Sequence, residues 1–137
     1  MRAELPKGNV TRGRIYAVFP FDNKLSLLEM NGAKLLNLFD YEANYPEPVS
    51  AGVSLVIRDG AVESVKLGGK EIDPNATYKV CTIDYLSNSN RYCLGEYLSR
   101  KDSEEYLYDL FCDHVGKLTA AGKKVTSSLD SRVTVVK

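Results

Sequence analysis

Val53-Ser54-Leu55-Val56-Ile57-Arg58-Asp59-Gly60-Ala61-Val62-Glu63-Ser64-Val65-Lys66-Leu67 reads as two alternating strands joined by a two-residue turn. Val53, Leu55 and Ile57 share one face of the first run. Asp59-Gly60 supplies residues that tolerate positive φ at both central positions of a type I′ turn. Downstream, Gly68-Gly69 makes a second turn, Lys70-Glu71-Ile72 adds a short strand, and Asp73-Pro74-Asn75 makes a third turn. Tyr78-Lys79-Val80-Cys81-Thr82-Ile83 follows as a strand apolar enough to be central. Such a meander is antiparallel, and strands and helices do not alternate regularly along the chain. The fold class is therefore α+β, a mixed or antiparallel sheet packed with helices, and not a doubly wound parallel sheet.

Upstream, residues 2–10 contain Pro6 and Gly8 and read as an irregular arm. Thr11 is an N-cap for a short helix through Ile15, Tyr16 and Val18, ended by Pro20. Residues 24–30 read as a strand. Asn31 caps a helix with Leu35, Leu36, Leu38 and Phe39 on its apolar stripe, closed by Pro46 and Pro48. Past a polar loop at Ser87-Asn88-Ser89-Asn90-Arg91, Ser103-Glu104-Glu105 reads as the cap of a long helix. Its apolar face is Leu107, Leu110, Phe111, His114 and Leu118, and Gly122 ends it. A strand at 132–136 completes the chain.

At 137 residues the chain reads as a single domain spanning 1–137, large enough to bury a core. An apolar fraction of 44% and a charged fraction of 26% are ordinary for a globular protein. Lys plus Arg equals Asp plus Glu at 18 each, so nothing in the charge balance suggests a nucleic acid polymer as partner. No apolar run approaches the roughly 20 residues of a transmembrane helix. The N-terminus shows no signal peptide, and the abrupt start at Met1-Arg2-Ala3 reads as that of a fragment. Cys81, Cys93 and Cys112 have no Cys-x-x-Cys spacing, which disfavours a zinc site, and Cys81 and Cys112 read as buried inert thiols.

The inventory of catalytic groups is thin. His114 is the single histidine and reads as buried on a helix face. One histidine cannot build a two-metal centre, and neither a nucleophile elbow nor a phosphate-cradling glycine loop occurs. A hydrolase working through Asp22 or His114 is the weakest reading. No catalytic residue and no metal ligand is assigned. The remaining feature is Phe19-Pro20-Phe21-Asp22-Asn23, where Pro20 forces a bend between helix and strand. Taken alone, Phe21 reads first as a core residue at a corner. Its second reading is a ring that, with Asn23, is placed to hold a flat ligand.

Five segments in order resemble the C-terminal domain of 5′-nucleotidases, the domain paired with a calcineurin-like metallophosphatase domain. They are Gly13 through Asn23 with Glu29 through Leu35; Val49-Ser50-Ala51-Gly52; Gly69 through Val80; Thr82-Ile83-Asp84-Tyr85-Leu86; and Thr119 through Lys123 with Asp130 through Val133, the last similar to Bacteroidetes-type members. The resemblance covers nearly the whole chain and implies a division of labour. The metals and attacking water belong to the metallophosphatase domain, on a separate chain or lost from this one, so no cofactor is expected here. This domain supplies a pocket for a nucleoside or nucleotide, with the base stacked between Phe21 and Tyr85 and with Asn23 as a polar contact. Arg2 matches the end of the family's Asn-x-Gly-Gly-Ile-Arg motif and becomes a ligand-binding arginine, while the missing residues before it imply an N-terminally truncated domain. Arg91 stands where the family has an acidic ribose contact, replacing an acceptor by a donor. That change implies either altered specificity or a loop under no demand. The resemblance also implies nucleotide catabolism in a periplasmic, surface-anchored or secreted setting. The alternative is a degenerate scaffold that binds no nucleotide and docks onto a protein.

Overall fold

In the computed structural model, β2 (Val53–Arg58) and β3 (Ala61–Leu67) pair antiparallel across Asp59-Gly60, whose φ angles of 49° and 78° suit a type I′ turn. The structure describes residues 3–44, 49–89, 94–127 and 130–137. Gly68 and Gly69, at φ 58° and 79°, repeat the turn and lead into β4 (Lys70–Glu71). β7 (Val133–Val136) joins β2 in parallel, so the four-stranded sheet β4-β3-β2-β7 is mixed. The other sheet is antiparallel: β1 (Lys24–Asn31) runs between β5 (Thr77–Ile83) and β6 (Ser99–Tyr106). The fold is α+β.

Each early helix starts where its cap residue stands. Thr11 Oγ1 accepts the Arg14 N–H at 3.3 Å and opens α1 (Arg12–Val18). Asn31 Oδ1 accepts the Lys34 N–H at 2.9 Å and opens α2 (Gly32–Asn44). The first two amides of α2 turn to the 73–76 turn, with Gly32 N–H donating to Ala76 C=O at 2.8 Å and Ala33 N–H to Pro74 C=O at 3.0 Å. This approach is so close that a Cβ on Gly32 would stand 1.9 Å from the Asp73 carbonyl oxygen. Leu35, Phe39 and Ala43 of α2 bury against Leu55, Ile57, Val65 and Ile72. A second core holds Leu28, Met30 and Leu94, and Leu38 and Val80 pack against both. Each large side chain buried there contributes roughly 1.5–3 kcal/mol.

Four expectations are corrected by the structure. Ser103 does not cap a helix. Its hydroxyl accepts the Leu25 N–H at 3.0 Å and donates to Glu105 C=O at 2.7 Å, so it closes the irregularity between Lys24 and Ser26 in the β1–β6 ladder. The stretch Ser99–Tyr106 is an edge strand whose charges hide any apolar alternation, and α4 begins only at Leu107 (Leu107–Ala120). β5 is likewise an edge strand, and β1 is the centre, because Ser26, Leu28 and Met30 alternate fully buried while Thr77, Lys79 and Cys81 are exposed. Cys81 thus lies open opposite Leu27 rather than buried, while Cys112 is half-buried. His114 is exposed too, because the half-buried stripe of α4 runs through Leu107, Leu110, Phe111, Val115 and Leu118 and leaves it at the margin.

Asp84-Tyr85-Leu86-Ser87, the first three unassigned in the sequence and the last read as loop, forms the one-turn helix α3 (Asp84–Ser87) directly after β5. Two buried hydroxyls anchor it to the sheet: Ser87 Oγ donates to Ser26 Oγ at 3.1 Å, and Ser26 Oγ donates to Asp102 Oδ1 at 2.6 Å. Arg100 closes the network with a fork onto Asp102, Nε to Oδ1 and Nη2 to Oδ2 at 2.7 Å each, while its Nη1 donates to Asn88 Oδ1 at 2.5 Å. The Arg100 hydrogen bond, then that of Ser26, holds the Asp102 carboxyl down to about 2.

Two measurements check this fold. Gly32→Ala is expected to lower stability in urea unfolding by at least about 2 kcal/mol, because the added methyl meets backbone. Gly116→Ala, in α4 with open space around its Cβ position, is expected to raise stability by roughly 0.5–1 kcal/mol. A carboxylate whose folded pKa is depressed stabilises the fold above its unfolded pKa and loses that contribution as pH falls through the folded value. Between the ordinary carboxylate value near 3.8 and about 2, the melting temperature is therefore expected to fall more steeply in the parent chain than in Asp102→Asn.

Candidate functional site

The register Leu25↔Ile83 puts the start of β1 beside the end of β5. The bend before β1 and the helical turn after β5 must therefore meet at the same end of this sheet. Helix α1 stops at Phe19 (φ −123°, ψ 69°), because Pro20 removes the next amide donor and disfavours a helical residue before it. The bend is then pinned from the far side, where the first amide of α4, Leu107 N–H, donates to Asn23 C=O at 2.8 Å. Phe19 packs on Phe111 with ring centroids 5.1 Å apart, and Tyr16 meets Tyr108 edge-on at 5.8 Å. These contacts fix α1 against α4.

Between bend and helical turn lies a cavity of about 680 Å³, a size that takes a drug-sized ligand. Phe21, 51% exposed, and Tyr85, 63% exposed, stand on its wall from separate elements. Asn23, half-buried, lines it as well. The floor is the outward face of the sheet, with Leu25, Ile83 and Cys81, and Leu107 closes one side. Among the described residues that line it none is charged, and the polar side chains of Asn23, Cys81 and Thr82 are set in an otherwise aliphatic and aromatic wall. Such a surface favours a flat, weakly polar group over a charged one.

Of the residues singled out in the sequence, Phe21, Asn23 and Tyr85 come together here. Arg2 and Arg91 lie outside the described residues. Sequence reasoning missed Leu107 and the floor residues Leu25, Ile83 and Cys81. The floor would have been legible only with the β1–β5 register, since alternation alone does not say which face meets a ligand. It also missed the polar network beneath α3, although Ser26 inside Leu25-Ser26-Leu27-Leu28 was a signal: a polar residue at an inward position needs partners. Among the described residues no three His, Cys, Asp or Glu side chains gather to hold a metal ion. No helix among the described residues is long and apolar enough to cross a membrane.

A sequence model of the family described as "5'-nucleotidase, C-terminal domain" matches residues 1–93. The chain is 32% identical over 84 residues to a 5'-nucleotidase of Vibrio cholerae, and 27% identical over 90 residues to Protein UshA of Escherichia coli. These alignments take in 58% and 62% of this chain but only 15% and 16% of those proteins, so the chain spans a small part of the relatives it matches. The crystal structure of a 5'-nucleotidase precursor from Thermus thermophilus superposes on 99% of the chain and 30% of its own, with a TM-score of 0.84 at 24% identity. A Haemophilus influenzae NAD nucleotidase superposes on 94% of the chain and 27% of its own, with a TM-score of 0.72 at 21% identity. The structural likenesses speak for the fold, and with it the match over residues 1–93 makes this chain a member of the 5′-nucleotidase C-terminal domain family.

Proposed function

We propose that this chain is the nucleoside- or nucleotide-binding part of a 5′-nucleotidase-type phosphohydrolase, holding the base between Phe21 and Tyr85 with Asn23 beside it. One observation carries the reading: two half-exposed aromatic rings from separate elements line one apolar cavity of nucleoside size. The names of the relatives, 5'-nucleotidase in Vibrio cholerae and NAD nucleotidase in Haemophilus influenzae, support the substrate class. Metal-dependent hydrolysis of the phosphate ester belongs, on this reading, to a metallophosphatase domain on the same or another polypeptide. The described residues bind and orient, and take no step in the hydrolysis. Arg2 and Arg91 are assigned to the sugar or phosphate end of the ligand, where a guanidinium fork meets oxygens. A periplasmic, surface-anchored or secreted setting and a role in nucleotide catabolism accompany the proposal.

Titration of adenosine and AMP into the purified chain tests it. Saturable binding is expected, weakened by about 1–3 kcal/mol in Phe21→Ala and again in Tyr85→Ala, and nearly kept in Tyr85→Phe, which retains the π-face. Because stacking reads the face of a base and not its edges, uridine is expected to bind within about tenfold of adenosine. Absence of binding at millimolar ligand, or binding indifferent to both rings, would leave a scaffold that docks onto a protein as the better account.

A further inference from the structure

We propose that Arg100 and Asp102 are positioning residues of the base site, setting the place of the Tyr85 ring through the two ties that hold α3 to the sheet. The inference rests on the reading above and adds to it the residues that make the clamp rigid. Helix α3 is four residues long, and its N-cap, Ile83, makes no side-chain capping bond. A single turn does not sustain itself, so contacts with the rest of the fold must hold it. The Tyr85 ring is 63% exposed, which leaves its place to depend on where the α3 backbone stands rather than on a packed surround.

Among the described residues two polar ties reach α3, beside the packing of Leu86 on the second core, and both converge on one carboxylate. The first runs from Ser87 Oγ to Ser26 Oγ at 3.1 Å and on to Asp102 Oδ1 at 2.6 Å. The second runs from Asn88 Oδ1 to Arg100 Nη1 at 2.5 Å, with Arg100 itself held flat by its fork on Asp102. Ser26 and Ser87 are 0% and 2% exposed, so water offers no replacement partner if the carboxylate is removed. Loss of Asp102 therefore loosens both ties at once, whereas loss of Asn88 cuts the second alone. None of these five side chains lines the cavity, so their effect on a ligand is indirect, and α3 is the element that joins them to Tyr85.

A double-mutant cycle on adenosine affinity, with thermal unfolding recorded for each variant, tests this. Asp102→Ala and Arg100→Ala are each expected to weaken adenosine binding roughly tenfold in the parent chain. In a Tyr85→Ala background the same changes are expected to cause no further loss, because the ring they position is gone. In a Phe21→Ala background the tenfold loss is expected to persist. Should Asp102→Ala fail to fold, Asn88→Ala at the exposed end of the network is expected to give roughly a threefold loss with the same dependence on Tyr85. Losses that multiply in the Tyr85→Ala background would make the network a general support of the fold and overturn the proposal. So would unchanged affinity in Asp102→Ala. If the parent chain binds no adenosine, the functional reading fails and takes this inference with it. If it binds through Phe21 and Tyr85 but ignores Asp102, only this inference falls.

Discussion

The antiparallel pairing of β1 with β5 is the constraint on which the rest depends. Phe21 and Tyr85 are more than sixty positions apart, and neither makes the other's environment until Leu25 lies opposite Ile83. Once it does, the bend forced by Pro20 and the helical turn of α3 have no choice but to share one end of the sheet. A slip of one residue would turn Ser26, Leu28 and Met30 outward and Leu25 and Leu27 inward, losing the second core and the floor of the cavity together. Core and site are thus two faces of the same two strands, β1 and β5.

That arrangement explains why polar groups stand where they do. The inward face carries Ser26 among apolar neighbours, and it is tolerated there because Ser87 and Asp102 satisfy it. The outward face leaves Leu25 and Ile83 half-buried and Cys81 exposed at the cavity, a largely apolar surface that a flat group can cover. On the account proposed above, the covering group is a nucleoside base, and the Arg100–Asp102 pair keeps one of its two walls from drifting.

Much of the fold was legible because its signals are local. Asp59-Gly60, Thr11, Asn31 and the Gly68-Gly69 turn specify their own backbone geometry within four residues, and all appear as read. What escaped were features decided by distant partners. Ser103 looks like a helix cap until Leu25 N–H claims its hydroxyl. Tyr78–Ile83 looks central by apolar content, yet β6, too charged to announce itself as a strand, takes the other side of β1 and leaves β5 at the edge. His114 follows the helical period of Leu107 but falls outside the stripe that Phe111 and Val115 define. Phe21, Asn23 and Tyr85, singled out by motif position, line the cavity, whereas the floor and the network under α3 depend on register and were not singled out.

The family membership and the cavity together leave one central claim, that a base lies between Phe21 and Tyr85. Nuclear Overhauser contacts between bound adenosine and the isotopically labelled chain test it most directly. The account predicts contacts from the adenine ring protons to ring protons of both Phe21 and Tyr85. Saturable adenosine binding with contacts to neither ring would contradict it.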